Sequence, residues 1–382
     1  MLITDYSIIM SVLWGGIFVG ILAFFKLKSQ FNRTISAPVM LLLYFLCIIR
    51  MLAPVEFSWV RVIPSVHLYN GIYNLISKKI DIYGIGKITI EAAMAGVWVA
   101  GTLLGIAKIV RDHILIGKIL IKLKRTEYFE AEKIIEKIER CYRKKQKIKV
   151  YKSKAIRSPV SVGIIKREIW IPDMDYDSKK LEHILKHELA HHVNNDILTK
   201  LIINTLCALY WWNPVVYILR INIDNYFEIR CDKTVVADMN NNDRAEYMET
   251  IVDMLRYRGE TNYTCQGDKA GLLGLNEGSA GLKERFEEIA SCRPTENRRP
   301  QYIFIIIGAF VLMMLSYSFI FQSQYRGKDD ESNGHEIDFE KDYIIKDGSD
   351  YFIVYSDDQR EVINSEYIQE LKDLGMRVKN VE

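Results

Sequence analysis

Four apolar stretches of membrane-spanning length or close to it commit much of this chain to helix: roughly Tyr6 to Phe25, Ala37 to Ala53, Ile88 to Val110, and Tyr302 to Phe321. Inside hydrocarbon every backbone N–H and C=O must find a partner within the protein, which a helix provides from its own turns and an isolated strand does not. The second stretch is short and calls for tilt or local thinning. The first competes with a signal-peptide reading, but Asp5 precedes it, no basic n-region exists and no small-residue cleavage site follows, so it reads as a retained span.

Orientation follows from where lysine and arginine collect, because cytoplasmic flanks retain positive charge. Lys26, Lys28 and Arg33 link the first two stretches, Lys108, Arg111, Lys118, Lys122, Lys124 and Arg125 follow the third, and Arg293, Arg298 and Arg299 precede the fourth. These flanks read as inside. The N-terminus, a loop over about 54–87 and the tail then lie outside, and Arg61, Lys78, Lys79 and Lys87 in that loop weaken the bias without reversing it. The tail from Gln322 to Glu382 holds 16 Asp/Glu against 8 Lys/Arg, so the chain's formal +3 divides into −8 for the tail and +11 for the rest. The six cysteines form no C-x-x-C pair and none lies in the tail, which suits reduced thiols in membrane or cytosol.

The expected organisation is three helices within 1–110, a cytoplasmic domain over 111–300, a fourth helix over 301–321 and a small acidic module over 322–382. The cytoplasmic domain opens with a charged helical stretch, Thr126 to Lys149, in which Ile134, Ile135 and Ile138 share a stripe. Val160 to Ile171 is β-prone, with turn positions at Gly163 and Lys166-Arg167 and a stop at Pro172, so a hairpin is predicted. Asp177 or Ser178 can cap a helix running from about Lys179 through Val193. Ile197 to Ile221 is apolar enough to suggest a further span, but a crossing there would strand any later metal ligand on the wrong side. It reads as helix buried or dipping into the interface, broken at Asn213-Pro214. In the tail, strands at Tyr343 to Lys346 and Tyr351 to Tyr355, a turn at Asp347-Gly348 and a helix from Ser365 to Leu374 make an α+β module.

Chemistry enters at His187-Glu188-Leu189-Ala190-His191. On a helix, positions i and i+4 share a face, so two imidazoles can meet one zinc ion while Glu188 stands beside its water as a general base. A catalytic zinc takes three protein ligands. Glu228 is the expected third, on a helical stretch where Asp232, four residues on, supports the ligands from behind. His183, His192 and Cys231 are rivals for that third position. Arg50 and Glu91, near the outer ends of the second and third stretches, are read either as a pair or as side chains that snorkel to the interface.

Together these residues resemble the antirepressor membrane metallopeptidases of the BlaR/MecR type, over about Met1 to Phe321. The set comprises Ser158-Pro159 with Gly163, the His-Glu motif, Asp196, Trp212-Asn213-Pro214, and Glu228 with Cys231-Asp232. The resemblance implies an α-helical membrane protein with four transmembrane helices and a cytoplasmic α+β gluzincin-like domain, which cleaves itself and a transcriptional repressor on an extracellular signal. Similarity to zincins places the strand Val160, Ser161, Val162 and Gly163 where an extended substrate can pair, and Thr264 to Pro300 is the expected self-cleavage region. β-Lactam-sensing members carry an S-x-x-K nucleophile in a penicillin-binding domain, whereas this tail has no serine three positions before a lysine. The expected cofactor is Zn2+, and the expected partners are a repressor-like protein, the lipid bilayer and, as a candidate, a second copy of the chain. Direct nucleic-acid binding is not expected, since orientation accounts for the basic residues. The competing functions are a membrane quality-control zinc protease and a non-hydrolytic zinc-binding receptor or scaffold; a retained Glu188 disfavours the latter.

Overall fold

A computed structural model of the protein describes residues 5–27, 35–57, 60–64, 79–82, 86–123, 125–142, 147–260, 279–292, 299–322, 342–347, 350–354, 360–363 and 377–380. It divides into two compact units, Met1–Pro64 with Gly71–Gln322, and Ser65–Asn70 with Ser323–Glu382.

The first unit begins with α1 (Asp5–Leu27) and α2 (Ala37–Leu52), then β1 (Arg61–Pro64), β2 (Lys79–Ile82), β3 (Gly86–Thr89) and the long α3 (Ile90–Lys122). Thr89 caps α3, its hydroxyl accepting from the Ala92 N–H. Among the described residues, two helices are long and apolar enough to cross a membrane, Tyr6–Lys26 and Ile90–Lys122. The other two expected spans come out shorter. α2 has 16 residues, about 24 Å of helix against a hydrocarbon core of roughly 30 Å. The last helix has 17 residues, Arg299–Leu315, so the apolar stretch from Tyr302 is helical only to Leu315 and then turns extended.

Next come β4 (Thr126–Glu127), α4 (Phe129–Tyr142), β5 (Ile148–Ser153), β6 (Val160–Val162), β7 (Arg167–Pro172) and α5 (Ser178–Val193). The strands form one sheet in the order β4-β5-β7-β6, with β5 parallel to β7 and β6 antiparallel to it. The expected hairpin is present, and Gly163 turns it at φ +84, where an added Cβ would fall 1.8 Å from the Lys166 carbonyl oxygen. Among the described residues, the charged stretch Thr126 to Lys149 is helical over Phe129–Tyr142 and already enters β5 at Ile148. Ile135 and Ile138 of α4, Val150, Ile169 and Ile171 of the sheet, and Leu181, Leu185 and Leu189 of α5 bury one another. That shared core fixes the pose of the motif helix, whose start Asp177 caps by accepting from the Lys179 N–H.

Asn195, left-handed at φ 56, turns the chain sharply into α6 (Asp196–Leu209). After Tyr210–Asn213 comes α7 (Pro214–Val236), capped by the Asn213 side chain with Pro214 in its first turn. The apolar run 197–221 is therefore two helices and not one span. Its residues Ile203, Leu206, Val216 and Leu219 share a core with Val19 of α1 and Met40, Tyr44 and Met51 of α2. α3 lies on α6, with Gly101 against the Trp211 ring and Gly105 against Ala208, and Trp98 Nε1 donates to the Leu209 carbonyl at 2.9 Å.

α8 (Asn241–Glu260), α9 (Ser279–Ala290), α10 (Arg299–Leu315) and β8 (Phe319–Gln322) complete the unit, β8 pairing parallel with β1. Arg50 does not face Glu91. It is buried, donates from Nε to Ser316 Oγ at 2.8 Å, and lies 4.0 Å from the Tyr317 ring centroid, while Glu91 is exposed in the first turn of α3. α3 spends its packing on α6, which leaves the partner of Arg50 to the end of α10.

In the second unit, β9 (Tyr343–Asp347), β10 (Asp350–Val354), β11 (Arg360–Ile363) and β12 (Arg377–Asn380) form a sheet ordered β11-β10-β9-β12. The first two are the expected strands. The expected helix from Ser365 to Leu374, the turn residue Gly348, most of the 54–87 loop, and 264–278 and 293–298 of the expected self-cleavage region lie outside the described residues.

Candidate metal centre

α5 presents His187 and His191 one turn apart, their ring centroids 5.0 Å apart and nearly perpendicular. α7 packs on α5 and brings in Glu228, which is buried. Its Oε2 is 3.3 Å from His187 Nε2 and its Oε1 is 3.6 Å from His191 Nε2. Two ligand atoms on a tetrahedral zinc, each roughly 2.0–2.1 Å from the ion, stand about 3.3–3.4 Å apart. The observed separations match that spacing, and one donor atom from each of the three residues lies within 4.8 Å of the others.

The opposite ring nitrogens are engaged. His191 Nδ1 is 2.8 Å from Asp196 Oδ2, and Asp196 is ion-paired with Arg230. His187 Nδ1 is 3.0 Å from the Tyr247 hydroxyl and 3.2 Å from Asp232 Oδ1. A carboxylate on Nδ1 fixes the ring and leaves Nε2 forward, the arrangement usual behind metal-binding histidines. Asp232 is in turn held by Tyr247, whose hydroxyl donates at 2.7 Å, and by Arg285, which donates from Nε at 2.7 Å and Nη2 at 2.9 Å. Glu188 sits beside the pair on α5. Ser161 Oγ lies 2.7 Å from its Oε2 and 2.9 Å from its backbone carbonyl oxygen.

Of the residues expected from sequence, His187, His191 and Glu228 converge, Glu188 and Asp232 flank them, and the rivals stand elsewhere. His183 packs edge-on against the Tyr247 ring. His192 Nε2 bonds the Glu168 carbonyl at 3.1 Å. Cys231 lies behind His191, its Sγ 3.4 Å from Nδ1, and could join only a second, rearward group with Asp196. Val160, Ser161 and Val162 form a strand at the sheet edge, with no strand on its far side among the described residues, and Gly163 begins the turn. Asp196 was visible as part of the motif set without a role. Tyr247, Arg285 and the contact of Ser161 with Glu188 had no sequence signal, because they arrive from distant elements.

The charges are arranged to keep these groups ionised. Burial works against protonation of His187, but the hydrogen bonds and charges of Asp232 and Glu228 prevail and raise its pKa to about 10. Burial would raise the Glu228 and Asp232 carboxyls. Instead His191, His187, Arg285 and Lys200 hold Glu228 well below the usual carboxylate range, and Arg285 and His187 bring Asp232 to about 2. A cation bound at Nε2 must displace the His187 proton. Since that ring is protonated below about 10, metal affinity should strengthen about tenfold per pH unit between roughly pH 6 and 8. Competition titrations with a chelator of known affinity across that range check this; an affinity independent of pH would contradict it.

A sequence model of the family described as BlaR1 peptidase M56 matches residues 16–287. The "Methicillin resistance mecR1 protein" of Staphylococcus aureus is 25% identical over 263 residues, 65% of this chain and 43% of that protein. The "Regulatory protein BlaR1" of Staphylococcus aureus is 28% identical over 218 residues, 56% of this chain and 36% of that protein. The "Regulatory protein BlaR1" of Bacillus licheniformis is 26% identical over 196 residues, 51% of this chain and 31% of that protein. The matched part thus spans less than half the length of these curated relatives.

Proposed function

Because the chain belongs to the BlaR1 peptidase M56 family, we propose that it is a multi-pass membrane zinc endopeptidase of the signal-transducing antirepressor kind, cleaving a cytoplasmic repressor-like protein, its own chain, or both. The observation that carries this reading is the spacing of His187 Nε2, His191 Nε2 and the Glu228 carboxylate, with Glu188 alongside. In this reading α2 and α10 join α1 and α3 as tilted or locally thinned crossings, the domain over 111–300 faces the cytoplasm, and 322–382 lies outside.

His187, His191 and Glu228 hold the ion, which when bound supplies a Lewis acid and a water of lowered pKa. Asp232 and Asp196 keep the two rings turned so that Nε2 faces forward. Glu188 takes the proton released as water attacks the peptide carbonyl and passes it to the leaving amine. Ser161 holds that carboxylate in place. The open edge of β6 accepts an extended substrate segment as an added strand.

Purified full-length protein in lipid nanodiscs, incubated with candidate repressors, is expected to give a narrow set of fragments by mass analysis. A chelator should abolish them and zinc should restore them. Fragments that persist through chelation would exclude this reading.

A further inference from the structure

The turn between β6 and β7 leaves an isoleucine standing in the open. Ile165 is 94% exposed and Ile164 is exposed beside it, a costly placement in water for two adjacent branched apolar side chains. The turn is not free to fold them away. Gly163 at φ +84 has no room for a Cβ beside the Lys166 carbonyl, and Arg167 at the base donates to the His192 carbonyl at 2.8 Å and to Asn195 Oδ1 at 2.9 Å.

What lies next to the turn is the apolar outer face of α6. Ile164 lines one cleft with Ile197 and Leu198, and Leu198 and Ile202, one turn apart, are both exposed. The packing of α6 on α3 sets the depth of this face. The contacts fall at the end of α6 away from the turn, Trp98 with Leu209, Gly101 with Trp211 and Gly105 with Ala208, within the apolar part of α3. Leu198 is ten residues before Ala208, so about 15 Å along α6, half of a hydrocarbon core of roughly 30 Å. Leu120, near the other end of α3, packs on the sheet cluster of Tyr151, Ile156, Val162 and Trp170 to which the turn belongs. The turn and Leu198 thus lie toward the end of α3 that Lys108 and Arg111 mark as cytoplasmic. Lys166, exposed next to the two isoleucines, suits a headgroup layer.

We infer that the β6–β7 turn, Ile164–Lys166, is a membrane anchor that inserts its two isoleucines into the cytoplasmic boundary of the bilayer. The inference rests on the membrane reading of α3 above. It deepens the proposed function, because it sets the open edge of β6 and Glu188 at the bilayer surface, so that substrate segments are taken up along the headgroup plane.

The test places a photoreactive benzoylphenylalanine at three positions of the full-length protein in nanodiscs and weighs lipid adducts by mass. The positions are Ile165, Leu104 on the exposed face of α3, and Lys154, exposed at the far end of the sheet. Adducts at 104 and 165, each at least about tenfold above 154, are expected. Adducts at 104 with 165 no higher than 154 overturn the anchor and leave the membrane reading standing. No adduct at 104 overturns that reading and the anchor with it.

Discussion

Replacing Glu188 with glutamine is expected to lower proteolysis by about 10²–10⁴-fold, the usual contribution of a positioned general base. The amide keeps the shape of the side chain and can still accept from Ser161, so the fold should be unchanged. His187, His191 and Glu228 are untouched, so metal content should be unchanged as well. The check is a paired measurement: fragment formation rate and bound zinc for wild type and Glu188→Gln. Identical fragments at identical rates from both proteins would remove Glu188 from the reaction.

The second large effect is expected at Asp232. Its carboxylate takes hydrogen bonds from Tyr247 and twice from Arg285, and stands 3.2 Å from His187 Nδ1. Asp232→Ala leaves a buried guanidinium without its main counter-charge, a change that typically costs about 3–5 kcal/mol. It also releases His187 from one of its fixed orientations, which should weaken metal binding by about 10–100-fold. Thermal unfolding in nanodiscs and metal competition read the two effects separately. Asp232→Leu combined with Arg285→Leu should recover part of the stability, since no charge is then stranded, but not the metal affinity. If the single variant melts with wild type, the buried network does not hold the site.

Sequence made local features plain. The i, i+4 histidines, the Asp177 cap, the turn at Gly163 and the break at Asn213-Pro214 each depend on a few neighbouring residues, and each appears in the structure. Glu228 also converges on the pair, although it is 41 residues from His187; its signal in the sequence was the second carboxylate, Asp232, one helical turn further on. The features that were missed depend on pairing across long separations. The charged stretch is predicted to be helical to Lys149, whereas Ile148–Ser153 is a strand because it pairs with β7 on one side and β4 on the other. Position near outer helix ends suggests a pairing of Arg50 with Glu91 or snorkelling of each, whereas Ser316, 266 residues away, takes the Arg50 hydrogen bond. Composition could not show that the last apolar helix stops at Leu315, since Phe319–Gln322 is equally apolar and becomes a strand by pairing with Arg61–Pro64. Tyr247 and Arg285 have no local signature at all; what singles them out is the carboxylate they share.

The central claim is that one ion is held by two imidazoles and the Glu228 carboxylate on the forward side of the histidines. X-ray absorption at the zinc edge of the loaded protein measures this directly. Nitrogen and oxygen neighbours alone at about 2.0–2.1 Å, two of them histidine, with one oxygen neighbour lost in Glu228→Ala, are the expected result. A sulfur neighbour at about 2.3 Å would place the ion with Cys231 behind His191 and contradict the account.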